Sequence, residues 1–520
     1  MKLISRDATK KINSRSKGIT LSYFYFVLNA ILSIVLSSFI LRSVGKTDNG
    51  VYHSMTAFMT YLVLLEFGMS TIMARNISLL RKKESSADEI NKNVSTIWTT
   101  TIILSGLMFL LLLTFYFLIP NIYSNSLTES QIVLGKRIFV FAGLNLIFTF
   151  LTSTLNGLIL AYEKYVFEKF IQLIRLILRA GLIVAVLSIK SSIILVPIID
   201  FGLGLAVFVL TIIYCLARFK AKLNFKYFDK RIVRSFIPLA IAMLIQALVN
   251  TANTVVDKFL ISIMMTPEDV SVYSITMMVF NMFSSIGTLP NTLFIPSIAK
   301  NTTKNLSNFE FTKTLVQPCR LNVIFSGLAG FGFLLVGRSF IELVYGVDYV
   351  QSWTYCIIIL VPLFFYLTDA IMIHVLTVLN KRQIFAYISL IATGLNVLMT
   401  IFAIKWIGML GASIATAISI IIQVISLNIY YKKKIGISVI FLYKEAFKGT
   451  IPSLFISFAF VLPIQHRMPS SLLKLIVGVV VFVLFFSFSF KFFGANQAEK
   501  EKIDMIIGKI KRRGNAGGNK

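Results

Sequence analysis

Long apolar runs separated by short polar links dominate the chain from Ile19 to Phe493. Most runs are about 20 residues or longer, the length that a helix needs to cross a hydrocarbon core about 30 Å thick. The runs are continuous and do not alternate in segments of about ten residues, as the strands of a transmembrane β-barrel do. The pattern therefore predicts an all-α polytopic membrane protein.

The limits of these runs predict fourteen membrane spans. They cover residues 19–41, 51–74, 94–119, 132–160, 170–189, 193–217, 237–264, 271–298, 321–337, 352–379, 384–404, 407–430, 449–465 and 471–490. The first run is too long for the apolar region of a signal peptide, so we expect it to remain as an uncleaved span.

Composition and charge agree with a membrane protein. Of the 520 residues, 57% are hydrophobic, whereas a soluble domain is nearer about 45–50% apolar. The net charge of +29 would point to nucleic acid in a soluble protein. Here most of the 51 lysines and arginines fall in links on the same side as the N-terminus, which is the positive-inside pattern. We therefore expect a cell-membrane protein with both termini cytoplasmic, no nucleic-acid partner, and contacts between the basic links and membrane lipids.

A weak internal repeat relates the two halves of the chain. The stretch TDNGVY at residues 47–52 aligns without gaps with EDVSVY at residues 268–273, through identical Asp, Val and Tyr residues. The same offset superposes the apolar runs of spans 1–6 on those of spans 7–12. Repeats of this kind are a known transporter architecture with the substrate path between the halves. We therefore expect two six-helix repeat lobes, with spans 13 and 14 outside the repeat.

The repeat and the charge pattern divide the chain into six segments. These are a cytoplasmic N-terminus (1–18), an N-lobe (19–217), a basic cytoplasmic linker (218–235), a C-lobe (236–431), the last two spans with the loop before them (432–493), and a basic cytoplasmic tail (494–520).

Several motifs along the chain make it recognisable. They are LLEFGMSTIMAR at 64–75, NTVVDKFLIS at 253–262, ELVYGVDY at 342–349, VLNKRQ at 378–383 and WIGMLGASIATAIS at 406–419. In their order and spacing, the chain resembles the polysaccharide (Wzx-like) flippases of the multidrug/oligosaccharidyl-lipid/polysaccharide exporter superfamily. The resemblance covers nearly the whole chain.

The resemblance implies a fold and a substrate class. The fold is two six-helix bundles around a central cavity that opens alternately to each side of the membrane. The substrate is an oligosaccharide repeat unit carried on polyprenyl pyrophosphate and flipped outward for polymerisation. Contacts with other polysaccharide assembly proteins are compatible with this role.

Arg175 and Arg179 stand four residues apart in span 5. At ~1.5 Å per residue they lie roughly 8 Å and 14 Å into the segment, on one helical face. Charged residues inside a membrane normally face a bundle interior or a watery cavity, and guanidinium groups bind phosphate oxygens in a bidentate manner. One interpretation is that the pair attracts the pyrophosphate of the substrate. The other is that Arg175 reaches the cytoplasmic interface and Arg179 pairs with an acid of a neighbouring helix.

Asp257 and Lys258 interrupt span 7. Adjacent residues on a helix point about 100° apart, so they need not be partners of each other. A functional interpretation makes Asp257 a proton or cation site and Lys258 a second contact to the anionic substrate. The alternative is a structural network of ion pairs that holds span 7 against its neighbours.

Other polar residues stand in or near the apolar runs. Glu66 in span 2 and Asp369 in span 10 are candidate ion-coupling carboxylates or structural groups. Arg42 at the outer end of span 1 either draws the phosphate outward or anchors the interface. Asp200 in span 6 is expected to be solvated, and a lone His374 is expected to be a hydrogen-bonded core residue.

Other function classes fit the chain less well. The sequence GKT at residues 45–47 lacks the first glycine of a phosphate-binding loop, since position 40 is Ile. We therefore expect no nucleotide hydrolysis, no cofactor and no metal centre.

A membrane polysaccharide polymerase or ligase needs converging catalytic groups on the outer face, where the links are short. A lipid II flippase and a multidrug/cation antiporter of the same superfamily remain open as alternatives.

Overall fold

The computed structural model describes residues 2–219, 221, 223–302, 306–379, 381–468, 472–497 and 499–501. Within these ranges the chain forms helices and no β-strand, which confirms the predicted all-α class. The residues pack into two compact units, 1–274 and 275–520. The division into lobes at the linker 218–235 stays a prediction, and the predicted tail beyond residue 501 lies outside the described residues.

As far as the structure describes it, the first unit contains eight α-helices and part of a ninth. They are α1 (Lys2–Val44), α2 (Lys46–Leu62), α3 (Met69–Lys82), α4 (Ala87–Ile122), α5 (Glu129–Ala161), α6 (Tyr165–Ile189), α7 (Leu195–Phe219), α8 (Lys230–Met264) and the beginning of α9 (Pro267–Thr288).

The second unit begins within α9. It continues with α10 (Asn291–Thr302), α11 (Asn308–Tyr345), α12 (Gln351–Val378), α13 (Arg382–Ile407), α14 (Met409–Tyr430), α15 (Val439–Phe447), α16 (Thr450–Arg467) and α17 (Leu472–Ser489).

In the described part of the chain, thirteen helical segments are long and apolar enough to cross a membrane. They correspond to thirteen of the fourteen predicted spans. The fourteenth, residues 237–264, lies within α8, a continuous helix of 35 residues. The start of a helix precedes the predicted limit most at α1, which begins at Lys2 and not near residue 19, and at α11, which begins at Asn308 and not near residue 321. The first turns of both helices are polar and carry no apolar signal.

Side-chain caps explain where several helices begin. The Ser86 hydroxyl accepts a hydrogen bond from the backbone N–H of Glu89 at 3.2 Å and so starts α4. A capping box formed by Ser307 and Glu310 starts α11. These groups satisfy amide donors that the first turn of a helix leaves without intrahelical partners. The polar links therefore determine the limits of the spans as much as the apolar runs do.

The core of the first unit is built around α5, which packs against α2, α3, α4 and α7. Its helices approach closely where small residues face each other. A Cβ atom at Gly157 of α5 would stand 2.2 Å from the backbone oxygen of Ser70 in α3. Small residues at such crossings allow membrane helices to associate by van der Waals packing, since lipid supplies no hydrophobic driving force between them.

Predicted span 2 is an interrupted helix. After α2 ends at Leu62, a 3-10 turn covers Val63–Glu66, and Phe67 and Gly68 adopt left-handed backbone conformations with φ of 47° and 66°. Helix α3 begins directly afterwards. Backbone outside a helix is tolerated at membrane depth where it is buried in protein or lines a cavity. The break therefore marks a specialised position within the span.

A second break occurs at the equivalent place of the repeat. Helix α9 begins at Pro267, 221 residues after Lys46 begins α2. It ends at Thr288, and α10 resumes at Asn291, so that predicted span 8 is divided as span 2 is. Pro290 lies in this gap and cannot donate a backbone hydrogen bond. The two halves thus share the interruption of their second helix as well as the short sequence match.

In the second unit, α16 and α17 pack on α11 around a small core of buried residues, which includes Leu454, Val461 and Phe482. The short helix α15 lies in the predicted loop before span 13. It packs along α11. Its Tyr443 side chain points toward α12 and α14 and contacts Asp369, one of the predicted site residues.

Candidate functional site

Arg179 of α6 and Asp200 of α7 form a bidentate ion pair in the first unit. The Nε atom donates to Oδ1 at 2.5 Å, and Nη2 donates to Oδ2 at 3.0 Å. The two side chains are 30% and 15% exposed. The expectation that Asp200 is solvated is therefore wrong, because its carboxylate is the partner that a guanidinium inside a membrane requires.

Arg175 lies one turn before Arg179 and is less firmly held. Its Nη2 atom donates to the Asn145 side-chain oxygen of α5 at 3.4 Å, and the charge interacts more distantly with Asp200. Gly204 of α7 makes room for this contact, since a Cβ atom there would stand 2.3 Å from the Asn145 oxygen. Arg175 is half-buried and points into the packed helices.

Helix α2 brings two ring side chains to these charges. Tyr52 lies close enough to Asp200 and Arg179 to interact with both electrostatically. The neighbouring His53 ring stands 5.4 Å from the Tyr52 ring, and its Nδ1 atom lies 3.1 Å from the Nζ atom of Lys258 in α8. Neighbouring residues of α2 therefore connect the arginines of α6 with the lysine of α8.

We call this group of side chains the basic cluster. Its members are Tyr52, His53, Arg175, Arg179, Asp200 and Lys258. The group contains three basic side chains, Arg175, Arg179 and Lys258, and one carboxylate, that of Asp200. A site with an excess of positive charge, partly buried and lined by guanidinium and ring groups, is suited to bind an anion.

Arg42 is not part of the basic cluster. It is exposed in the last turn of α1, whereas Tyr25 is the residue of α1 that interacts with Arg175. The two positions lie 17 residues apart, which is roughly 25 Å along a helix. The predicted contact of Arg42 with an anionic substrate therefore stays a prediction, separate from the basic cluster.

Asp257 and Lys258 have different partners, as expected for adjacent helical residues. Asp257 is 2% exposed, and its Oδ2 atom accepts a hydrogen bond from the Tyr273 hydroxyl group at 3.3 Å. Tyr273 is the repeat equivalent of Tyr52, so the tyrosine of each copy of the repeated motif faces a membrane carboxylate.

Glu66 occupies the last position of the 3-10 turn in span 2. Its carboxyl group interacts with the Ser153 hydroxyl group of α5. The left-handed residues that follow it belong to the break between α2 and α3, so this carboxylate lies at a point where the backbone of the span changes direction.

Asp369 of α12 anchors a second polar group, in the second unit. It is 4% exposed, and its Oδ2 atom accepts hydrogen bonds from the Tyr443 hydroxyl at 2.7 Å and the Asn428 amide at 2.9 Å. Among the described residues, three buried oxygen atoms of this group have no hydrogen-bond partner: Oδ1 of Asp369, Oδ1 of Asn428 and the hydroxyl of Tyr431. We call Asp369, Asn428, Tyr431 and Tyr443 the Asp369 cluster. Several oxygens converging on one buried carboxylate are suited to hold a proton or a small cation.

Sequence reasoning missed several members of these groups. Tyr52 was notable only as part of the repeat, His53 gave no signal beyond following it, and Asn145 is one polar residue in a long apolar helix. Tyr443 lies in a predicted loop. Their roles depend on contacts across 15 to 205 positions of the chain, which no local pattern reveals.

The comparisons with known proteins agree with the predicted resemblance. Residues 16–302 match the model of a family described as polysaccharide biosynthesis protein. A comparison with curated protein sequences finds no match. The fold is similar to that of the lipid II flippase MurJ in an inward closed conformation, with a TM-score of 0.72 at 17% identity over 91% of this chain and 98% of that chain.

Two further solved structures share the fold. One is a multidrug resistance MATE family transporter of the MOP superfamily in an inward-facing conformation, with a TM-score of 0.61 at 11% identity over 78% of this chain and 94% of that chain. The other is the MATE multidrug transporter DinF-BH, with a TM-score of 0.55 at 16% identity over 81% of this chain and 95% of that chain. Because the family model covers more than half of the sequence, this chain belongs to the polysaccharide biosynthesis protein family, and it adopts the fold of the MOP superfamily transporters.

Proposed function

We propose that this protein is a flippase of the cell membrane that carries polyprenyl-pyrophosphate-linked oligosaccharide repeat units from the cytoplasmic to the outer leaflet. The observation that supports this substrate is the excess positive charge of the basic cluster within the spans of the first unit. A membrane protein keeps such charges only where they serve a purpose, because burying each is costly. A pyrophosphate linked to a lipid is an anion that reaches this depth.

The two arginines are suited to different parts of this task. The ion pair with Asp200 holds the Arg179 guanidinium in a fixed plane, so that little side-chain entropy is lost when a phosphate oxygen binds to it. Among the described residues, Arg175 has a single hydrogen bond, at 3.4 Å, and keeps its other donors for the substrate. Lys258 supplies a third, point-like positive charge from α8.

Ion coupling is assigned in this proposal to carboxylates within the spans. Asp369 is the principal candidate, because its Oδ1 atom is one of the buried oxygens without a hydrogen-bond partner among the described residues. Asp257, buried beside Lys258, and Glu66, at the break in span 2, are the further candidates. A carboxylate that takes up a cation or proton changes the charge of its surroundings and so favours one conformation over another.

Contacts at the beginnings of α2 and α9 support alternating access. Thr47 donates a hydrogen bond to the Glu268 carboxylate, and the Asn49 side chain donates to the Ser271 hydroxyl at 2.8 Å. If the basic links face the cytoplasm, these helix ends face outward. Polar contacts there close the outer side, and outward release of the oligosaccharide requires them to separate.

This proposal places both termini and the basic linker in the cytoplasm, in contact with anionic lipids, and assigns transport and no catalysis to the chain. Other polysaccharide assembly proteins are proposed partners on the outer face, where the flipped unit is polymerised.

Transport by the purified protein in proteoliposomes tests the proposal. Three fluorescent substrates are compared under the same ion gradient: a polyprenyl-pyrophosphate oligosaccharide, lipid II and a small organic cation. Loss of protection from an impermeant quencher reports flipping of the two lipids. We expect fast flipping of the first lipid. Movement of lipid II alone would instead identify a lipid II flippase, and efflux of the organic cation alone would identify a multidrug antiporter.

A further inference from the structure

Arg320 of α11 joins four segments of the second unit. It is 3% exposed, and its Nε atom donates to both carboxylate oxygens of Glu499 at 2.8 and 3.1 Å. Its Nη1 atom donates to the backbone oxygens of Glu445 at 3.1 Å and Lys448 at 2.6 Å. Its Nη2 atom donates to the backbone oxygen of Gly494. One guanidinium therefore contacts the end of α15, the end of the last span and the segment that follows it.

Three of these acceptors are carbonyl groups at helix ends. Glu445 and Lys448 belong to the last turn and the C-cap of α15, and Gly494 ends the π-helical turn after α17. Such carbonyls have no intrahelical partners and carry the partial negative charge of the helix dipole. Arg320 thus caps two helices with one charge.

Helix α15 is fixed to α11 at both ends. The backbone N–H of Ser438, just before α15, donates to the Thr312 hydroxyl of α11 at 3.2 Å, and Arg320 holds the other end. Thr312 and Arg320 are separated by about 12 Å along α11, and the nine residues of α15 span about 13 Å. The spacing of the two anchors thus matches the length of the helix between them.

The middle of α15 contributes Tyr443 to the Asp369 cluster. Tyr443, in this helix, donates to the Asp369 carboxylate at 2.7 Å and accepts from the Asn428 amide at 3.2 Å. Cys319 of α11 is fully buried and interacts electrostatically with both Asp369 and Tyr443. A helix that lifts at its Arg320 end would withdraw Tyr443 and open this group of side chains to water.

Glu499, which contacts Arg320, is itself held by hydrogen bonds to Asn496. Its backbone N–H donates to the Asn496 side-chain oxygen at 2.9 Å, and its carboxylate accepts from the backbone N–H of Asn496 at 2.9 Å. This reciprocal pair is a capping box, which fixes the carboxylate relative to the backbone. Two hydrogen bonds therefore link the position of Asn496 to the carboxylate that contacts Arg320.

We propose that Arg320 and Glu499 are positioning residues that hold α15 closed over the Asp369 cluster. In this arrangement the chain that follows the last span acts as a latch. While Glu499 is bound, Arg320 holds the end of α15 against α11, and Tyr443 keeps its hydrogen bond to Asp369. With Glu499 withdrawn, Arg320 loses its charge partner, α15 loosens and Asp369 gains access to water. The consequence for ion coupling rests on the proposed function, whereas the seating of α15 does not.

The native Cys319 thiol reports the opening of α15 without any change to the Asp369 cluster. Cys215 and Cys356, the other two cysteines, are replaced by alanine, and the purified protein in lipid nanodiscs reacts with a small water-soluble methanethiosulfonate. The labelling rate at Cys319 is compared for the parent and for Glu499→Gln, Glu499→Ala and Arg320→Lys. The matched control is Glu501→Gln, the same change at an exposed position two residues later.

We expect labelling to be at least about tenfold faster in Glu499→Ala and in Arg320→Lys, the factor that corresponds to about 1.4 kcal/mol. Glu499→Gln should give a smaller increase, because its amide oxygen still accepts one hydrogen bond. Glu501→Gln should label at the parent rate. Equal rates in all variants would overturn the proposal. Glu499 lies beyond the last span, which ends before it at Gly494, so its variants remain informative if Arg320→Lys fails to fold.

The labelling experiment requires neither transport nor a lipid-linked substrate. Faster labelling in a protein that flips no polyprenyl-pyrophosphate oligosaccharide would uphold the latch and refute the proposed function. Unchanged labelling in a protein that flips this lipid would refute the latch alone.

Discussion

Arg179 holds the carboxylate of Asp200 through two parallel hydrogen bonds of 2.5 and 3.0 Å, across the contact between α6 and α7. The pair makes it possible to keep an arginine within a membrane span. It also leaves Arg175, one turn away, without a carboxylate of its own among the hydrogen bonds of the described residues. In the first unit, the charge of Arg179 is therefore neutralised by Asp200, whereas the charge of Arg175 is available to bind an anion.

Removal of Asp200 should destabilise the protein more than removal of the whole pair. Asp200→Ala leaves the Arg179 guanidinium partly buried and without its carboxylate, which costs about 3–5 kcal/mol in fully buried pairs and less here because both groups are partly exposed. The double variant Arg179→Ala/Asp200→Ala removes both charges and should recover part of the loss. Thermal unfolding in detergent measures the difference. A double variant less stable than Asp200→Ala would contradict the pairing.

The break in span 2 should depend on glycine at position 68. Gly68→Ala places a side chain at a φ of 66° and sets its Cβ atom 2.7 Å from the Cβ atom of Met243. We expect a loss of about 1–3 kcal/mol in unfolding free energy from backbone strain and overpacking. Gly106→Ala is the matched control, because no atom lies within 4 Å of a Cβ at that position of α4. Equal stability of the two variants would argue against a required left-handed residue at position 68.

Asp369 should matter for coupling more than for substrate binding. Asp369→Asn keeps the size of the side chain but removes its charge, so that the cluster no longer favours a cation. We expect transport to lose its acceleration by an ion gradient, while binding of the lipid-linked oligosaccharide changes by less than about twofold. Asp348→Asn, at an exposed position, is the control. Gradient-dependent transport at the wild-type rate in Asp369→Asn would remove Asp369 from the coupling mechanism.

Asp229 should contribute stability that is lost in acid. It caps α8, and the Lys92 ammonium at 2.7 Å, together with the backbone N–H of Arg231, holds the pKa of Asp229 below its usual value of 3.8. A pKa that is lower in the folded state adds stability above 3.8, and this stability disappears as the pH falls through the folded value.

The comparison of wild type with Asp229→Asn tests this linkage. The melting temperature of the wild type should be the higher of the two at pH 6, and the difference should shrink below pH 3.8, as the carboxylate takes up a proton. Glu501→Gln, at an exposed position, is the control. A difference that stays constant from pH 6 to pH 3 would show that the charge of Asp229 is not responsible.

Much of the fold followed from the sequence because lipid imposes a simple rule. A run of about 20 apolar residues has to cross as a helix, so spans such as 352–379 were predicted within one residue of α12 at Gln351–Val378. The all-α class, the resemblance and the family agree. The repeat was detectable from six aligned positions, and the shared break in the second helix of each half strengthens it.

The break itself could not be predicted from apolarity. The residues around Phe67 are as hydrophobic as those of a continuous helix, and glycine at position 68 is common in membrane helices. The conformation is imposed by packing, here against Met243 of α8. Hydropathy describes what a segment can be buried in and not how its backbone turns.

The charge of the candidate site residues identified them in the sequence, whereas nothing in the sequence identified the residues that contact them. Arg175, Arg179 and Asp369 stand out because charges are rare in apolar runs. Asn145 and Tyr443 are common residue types at unremarkable positions, and their roles arise only from contacts between distant helices. Arg320 was placed outside the predicted span 321–337, and its partner Glu499 lies 179 positions away.

The central claim is that the basic cluster recognises the pyrophosphate of a lipid-linked oligosaccharide, and flipping rates in proteoliposomes test it most directly. The variants are Arg175→Ala, Arg175→Lys and Arg179→Ala/Asp200→Ala, with Arg137→Ala at an exposed position of α5 as the control. Each variant is reconstituted at equal density after its fold has been checked by thermal unfolding.

We expect flipping to fall at least about tenfold in Arg175→Ala and in the double variant, since a charge-assisted hydrogen bond contributes about 1.5–3 kcal/mol. Arg175→Lys, which keeps the charge, should retain more activity, and Arg137→Ala should equal the wild type. Full flipping in both Arg175→Ala and Arg179→Ala/Asp200→Ala would contradict the account and leave these arginines with a structural role.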